Sequence, residues 1–471
     1  MSVQFPNNVK KILDQKQISY TMTMYGSGDE PEALNYRDQF LREQAAARSI
    51  LLEDEDGKFL ALIPSDCMLD LQRLCHLTQR NLTAVSPREL ERYTTSKNLD
   101  DIPAIPNISG LTTVIDERLV KKGGAVLLDS GKSPHLLQID TSALDELMGD
   151  KALCLDIAHP INSIEESLHN PSKDERDICD SVTNFTTLRI KQRIEDTLEL
   201  PPLPQTAQRI IKLRVDPNAD ISDLSEIVET DPSLAAQVVS WASSPYYSAP
   251  GKIRSIHDAI VRVLGFDMVL NLALGISLSR TLDIPQNGPH GVPSYWRGAV
   301  YTAATMEGLV TSIPRQHRPG FGMAYLCGLL HNFGFLVLAD VFPPHFNLLC
   351  KSWNANPHVS HQVVEKQVLG VNRSQLAACL MQAWNMPEEI IFALRHQNEP
   401  GYQGEHFMYA NLLYIAQQLL RQHNMGAGPS LNLDEDILAR VHINRDQLDD
   451  TMGAIMSSAM ELENIASELA G

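Results

Sequence analysis

Two rhythms of apolar and polar positions divide the chain. Up to about residue 157 the apolar residues come in short runs broken by Gly, Pro and acidic turns, the mark of strands joined by tight connections. Val9, Ile12 and Leu13 recur at helical spacing, with a strand expected after them. Gln44 to Leu52 and Phe59 to Pro64 flank the turn from Asp54 to Gly57 and predict a β-hairpin. Leu69, Leu71 and Leu74 predict a helix, Leu82 to Val85 a short strand, and Ser86-Pro87-Arg88-Glu89 a capped helix start with proline in its first turn. Further strands fit residues 113–115, 125–128 and 135–139, with Gly123-Gly124 and Ser130-Gly131 as turns.

From about residue 197 the spacing changes to three and four. Leu200-Pro201-Pro202-Leu203-Pro204 fixes an extended approach to a helix beginning after Pro204. Asp220 or Ser222 can cap a helix bearing Leu224, Ile227 and Val228; Asp231-Pro232 opens the next, with Leu234, Val238 and Trp241 on one face. Ser255 starts another, ending at Gly265. Tyr325 to Leu336 reads as one apolar helical run with His331 and Asn332 side by side near its end. Beyond Pro400-Gly401, Leu412, Leu413, Ile415, Ala416, Leu419 and Leu420 predict a bundle helix. A last amphipathic helix from about Arg445 carries Leu448, Met452, Ile455, Met456, Ala459 and Leu462. Its Met-rich stripe suits a core or a homodimer face. The expected fold is therefore multidomain: an α/β domain over 1–157, a linker over 158–196 in which Val182, Phe185, Leu188 and Ile194 can form a connecting helix, an all-α domain over 197–397, and C-terminal helices over 398–471 that pack on it.

Composition narrows the function. A formal charge of −19 without a concentrated basic patch disfavours a general nucleic-acid binder, and the first 157 residues hold 17 Lys plus Arg against 24 Asp plus Glu, a local −7. The seven scattered cysteines form no Cys-x-x-Cys pair, which excludes a zinc ribbon or disulfide framework and fits a reduced cytoplasmic setting. No stretch approaches about 18 uninterrupted apolar residues, so neither export nor a membrane span is expected. His358, His361 and Glu365 would share a face if their stretch is helical, and a solvated face explains them better than a metal trio. Trp353, Trp384, Tyr246 and Tyr247 fit core positions better than a stacking platform.

The order Val114-Ile115-Asp116, Gly123-Gly124-Ala125-Val126-Leu127 and Leu136-Leu137-Gln138-Ile139 resembles the YbaK/prolyl-tRNA editing family. That resemblance implies an aminoacyl-tRNA deacylase centre built from a lysine, matched here by Arg48, and a glycine-containing loop, matched by Asp100 to Pro106, which lacks the glycine. Arg48 is the catalytic candidate this implies, and a solvated or salt-bridged arginine at a strand edge is the plainer reading of it. The succession Leu-Pro-Pro-Leu-Pro, Asp231-Pro232-Ser233-Leu234, Ser255-Ile256-x-x-Ala259-Ile260-x-x-x-Leu264-Gly265 and Gly328 to Gly334 resembles the HDOD family, a degenerate branch of the HD metal phosphohydrolases. Carried over position by position, the HD ligands become Gly298, His331, Asn332, Arg373 and His396-Gln397. Such a set implies no bound metal and no cofactor; His331, Asn332, Arg373 and His396 remain as candidates for an anionic ligand such as a nucleotide. The resemblance implies a bacterial regulatory or signalling protein with protein partners, in which the front domain senses or binds a ligand. An editing deacylase that meets tRNA is the first alternative and an HD-type phosphohydrolase the second.

Overall fold

The computed structural model describes residues 6–24, 41, 46–149, 152–168, 170–185, 203–248, 251–279 and 290–470. Leu188, Ile194 and Leu200 to Pro202, which the sequence reading used, lie outside them. The chain divides into two units: residues 1–168 with 347–368, and residues 169–346 with 369–471.

The first unit is built on a mixed sheet ordered β1-β8-β7-β2-β3-β6-β9, with the short strand Thr83–Ala84 (β5) paired to β2. The hairpin is Ala46–Asp54 (β2) and Gly57–Pro64 (β3), antiparallel, with Arg48 opposite Ile63 and Asp54 opposite Gly57. Its flanks are parallel pairings, β2 with Ala125–Asp129 (β7) and β3 with Thr112–Asp116 (β6). Thr21–Met24 (β1) lies against His135–Asp140 (β8), and Ala152–Leu155 (β9) against β6. Alternation along the hairpin gives the sheet two apolar faces. Ala47, Leu51, Leu60 and Leu62 pack with Val9 and Leu13 of Asn7–Gln15 (α1). Ile50, Leu52, Phe59 and Ile63 pack with Leu71 and Leu74 of Leu71–Thr78 (α2). Leu69, expected in that helix, sits in a short strand, Cys67–Leu69 (β4), paired with Ala158–Pro160 (β10), and Asp70 caps the helix instead. Ser86 caps the helix Pro87–Ser96 (α3) by accepting from the Glu89 backbone.

Residues 158–185, read as linker, hold β10 and two helices, Ile161–Leu168 (α4) and Asp174–Phe185 (α5). Residues 347–368, within the stretch assigned to the helical domain, group with the first unit. Asn356 exchanges two buried hydrogen bonds with the backbone of Leu69, at 2.7 and 3.1 Å, and His358 Nε2 lies 3.0 Å from the Cys67 carbonyl. This corrects the solvated-face reading. His358 precedes the helix His361–Leu369 (α6), and both it and Glu365 are buried.

The second unit is helical among its described residues. Gln205–Arg214 (α7), Ile221–Glu229 (α8) and Pro232–Ser243 (α9) follow in order, the second and third capped by Asp220 and Asp231. Ser255 caps the next helix, which ends at Gly265, where φ is +81°. Two long apolar helices, Phe266–Ser279 (α10) and Val292–Ser312 (α11), pack on Phe321–Leu330 (α12). The apolar run expected as one helix breaks at His331-Asn332 and resumes as Phe333–Val341 (α13). By length and composition the stretch Phe321–Val341 could cross a membrane, yet 83% of its apolar window is buried inside the protein. Arg373–Ala383 (α14), Glu388–His396 (α15) and Phe407–Gln422 (α16) complete the surround of that break. The last amphipathic helix also divides, into Arg445–Ser457 and Ala459–Ala470, which leaves Met456 and Met460 exposed.

Candidate functional site

Two glycines let the helices close on the break. A Cβ at Gly328 would sit 2.6 Å from the Ala303 backbone, and one at Gly334 only 1.9 Å from the Arg373 carbonyl oxygen. α12 thus seats directly on α11 and α13 on the start of α14, which brings Arg373 over the turn between them. Arg373 Nη1 donates to Asn332 Oδ1 at 2.7 Å, and its guanidinium lies 5.6 Å from the Phe335 ring centre. His331 Nδ1 lies 2.8 Å from the Gly328 carbonyl, an oxygen that can only accept, so the proton sits on Nδ1 and Nε2 keeps its lone pair. Burial pulls this imidazole down to about 4, with Arg373 and Arg421 adding to the fall and the Gly328 bond opposing it. It is neutral across the physiological range. A Cβ at Gly298 would meet His331 Cε1 at 4.0 Å.

His331, Asn332, Arg373 and the bare Gly298 therefore form one constellation. His396 faces elsewhere: its Nδ1 lies 2.9 Å from Glu399 Oε2, and its ring stacks on Tyr402 at 3.9 Å and 7°. Its neighbour Gln397 joins the turn instead, with Nε2 donating to the His331 carbonyl at 2.9 Å. Sequence reasoning treated Gln397 only as a lost histidine. It also passed over Gln417 and Arg421 on α16, which continue the connection: Gln417 donates to Gln397 Oε1 at 3.0 Å, and Arg421 donates to Gln417 Oε1 at 3.2 Å. The polar pair at i, i+4 inside an apolar helix was the available signal.

A divalent ion is the group that the resemblance to HD enzymes implies here, and the donors do not fit it. The ion needs several ligands with anionic oxygen among them. The amide oxygen of Asn332 is committed to a guanidinium, Gly298 brings no donor, and Arg373 brings a full positive charge. Among the described residues no three His, Cys, Asp or Glu side chains group to hold a metal.

In the first unit a cavity of about 350 Å³ is lined by Ala46, Pro64, Cys67, Arg118, Lys121 and Lys122, among others. Burial, helped by Asp66, pushes the Cys67 thiol up to about 12, so it is no nucleophile at neutral pH. Arg48 lies within β2 and does not line this cavity. Its neighbour Ser49 donates to the Ile102 carbonyl at 2.6 Å, which brings the 100–106 loop to β2. Trp384 is a core residue that meets Phe333 edge to face, whereas Tyr247 is half-buried, its hydroxyl accepting from Trp241 and donating to Glu307.

The comparisons agree with these two constructions. Residues 5–147 match the aminoacyl-tRNA editing domain and residues 200–400 the HDOD domain. A protein of Marinobacter aquaeolei VT8, whose name assigns it to signal transduction, is 39% identical, with 99% of this chain and 100% of that chain covered and a TM-score of 0.86. An HDOD domain protein of unknown function from Geobacter sulfurreducens is 20% identical, covering 59% of this chain and 96% of its own at a TM-score of 0.48. An uncharacterized protein of Treponema pallidum is 25% identical over 278 residues, 59% of this chain and 52% of its own length, so the match spans about half of that relative. A regulatory role fits the HDOD match and the full-length likeness together. The chain belongs to the HDOD-domain proteins, with an aminoacyl-tRNA editing domain of the YbaK type ahead of its HDOD domain.

Proposed function

We propose that this is a regulatory protein whose HDOD domain has become a non-catalytic binding or scaffold module, while the YbaK-type domain binds or senses a small ligand. One observation carries the reading: the Arg373 guanidinium is hydrogen-bonded to Asn332 in the helix break where an HD enzyme's aspartate would grip its metal. A fixed cation there repels a divalent ion and supplies no activated water, so hydrolysis loses its electrophile. The same cation, beside a neutral imidazole, suits an anionic ligand. The intact chain, supplied with Mg²⁺, Mn²⁺ or Fe²⁺ and a panel of nucleotides and phosphate esters, should release no phosphate above background. Turnover that disappears in His331→Ala would overturn the proposal.

The editing-domain match favours a second reading, deacylation of misacylated tRNA by the first unit. Against it stand an arginine at position 48, whose permanent charge cannot shuttle a proton at neutral pH, and the local −7 charge. Single-turnover deacylation of a panel of misacylated tRNAs decides. Hydrolysis lost in Arg48→Ala would make the protein an editing enzyme with a regulatory helical domain; none above the spontaneous rate would leave the first unit as a binding domain.

A further inference from the structure

The cavity of about 350 Å³ in the first unit stands apart from the editing resemblance, because neither Arg48 nor the 100–106 loop lines it. A crossover makes it. The chain leaves β6, forms the short helix Glu117–Lys121 and enters β7, while β2 and β3 lie between those two strands in the sheet. The cavity is bounded by this crossover, by the first residue of β2, Ala46, and by the last of β3, Pro64. Leu119, Val126 and Pro160 complete an apolar wall. The two prolines end their strands there and have no N–H to leave unpaired, so the wall is poor in donors. The space equals about a dozen waters at roughly 30 Å³ each and falls near the lower end of the roughly 300–1,000 Å³ of ordinary ligand sites. It suits a short organic molecule.

Charge is gathered on the crossover. Arg118, Lys121 and Lys122 all line the cavity, in a segment whose local charge is −7. Two of these cations are already matched. Arg118 Nη1 donates to Asp156 at 2.7 Å and to Asp116 at 3.2 Å, and Lys121 Nζ donates to Glu117 at 2.7 Å. Lys122 meets no carboxylate among the described residues. Its backbone is right-handed, with φ −62° and ψ −33°, and Gly123 and Gly124 follow at φ +68° and +84°. A right-handed residue followed by a left-handed one turns successive N–H groups toward a common side, which is how a backbone nest holds an anion. Among the described residues neither the Gly123 N–H nor the Gly124 N–H meets an acceptor, and a Cβ on either glycine would find nothing within 4 Å. Asp66 is the opposing charge in the lining, where its Oδ1 accepts from the Cys67 thiol at 3.6 Å. One acid against one unmatched cation favours a single negative charge over a double one.

We infer that this cavity is the ligand site of the first unit and that it takes a small organic acid, the carboxylate held by Lys122 and the Gly123-Gly124 N–H groups and the apolar body lying along Pro64, Leu119, Val126 and Pro160. The inference rests on the reading of the first unit as a ligand-binding domain and adds the site and the ligand class. Failure of that underlying reading shows separately, as tRNA deacylation that is lost in Arg48→Ala, a residue outside the cavity.

The test is calorimetric titration of the intact chain with butanoate, hexanoate and the neutral isostere hexanamide at one fixed ionic strength. Hexanoate is expected to bind once per chain, about fifteenfold more tightly than butanoate, since each buried methylene contributes about fourfold. It should bind at least about tenfold more tightly than hexanamide, which lacks the charge. In Lys122→Met, a change at an exposed side chain, the advantage of acid over amide should be lost while hexanamide binds as before. Hydrogen exchange in the wild-type chain locates the site: hexanoate should slow exchange over residues 118–126 and leave the His331 turn unchanged. Equal affinity for hexanoate and hexanamide, or an acid preference that survives Lys122→Met, overturns the anion assignment. No saturable binding, or protection that spares residues 118–126, overturns the cavity as the site.

Discussion

Gly334 has no room for a side chain, since a Cβ would lie 1.9 Å from a backbone oxygen that cannot swing away. Gly334→Ala is expected to lower stability by about 3 kcal/mol, read as a lower urea midpoint at unchanged m-value; an unchanged midpoint would deny that α13 and α14 touch. Glu307 gives a second residue-scale outcome. It accepts from the Tyr247 hydroxyl at 3.4 Å, and burial raises its carboxyl from 4.5 to about 7. The fold therefore favours the protonated form. The stability this contributes is complete below about pH 4.5 and is lost as pH rises through about 7. Glu307→Gln should be more stable than wild type at pH 8, by up to roughly 3 kcal/mol, with the gap closing toward pH 4.5 in paired denaturation curves. A gap that does not vary with pH would remove burial as the cause. At this scale the sequence alone named His331, Asn332, Arg373 and the empty place at Gly298, because a motif supplies positions. It could not supply Gln417 and Arg421, whose connection to the turn depends on which helix faces it.

Helices and strands follow local chemistry where caps and periodicity agree, as at Ser86, Asp220, Asp231 and Ser255. They depart from it where a tertiary partner intervenes. Tyr325 to Leu336 is apolar throughout except for two residues, so periodicity joins it into one helix. The His331 ring on Gly328 and the Arg373 bond to Asn332 reward the break instead. The stretch 347–368 departs more widely, because its buried polar residues have their partners some 290 positions away, at Cys67 and Leu69. Asn356 satisfies both the N–H and the carbonyl of Leu69 in a buried setting. Asn356→Ala is expected to cost about 2–4 kcal/mol in the first unit and to speed hydrogen exchange at the Leu69 amide. Unchanged protection at that amide would mean that the contact contributes nothing.

For the molecule as a whole, the two matched domains account for most of the chain. On the proposed reading, Arg48 takes the place of the editing lysine, and Asn332 and Arg373 take the places of metal ligands. A net charge of −19 adds no general attraction for tRNA. The measurement that tests the central claim most directly is the metal content of the intact chain, purified without chelator and then offered Fe²⁺, Mn²⁺ and Mg²⁺ before desalting. The account predicts far less than one ion per chain, with no change in His331→Ala. Near-stoichiometric metal that is lost in His331→Ala would contradict it and restore a working HD centre.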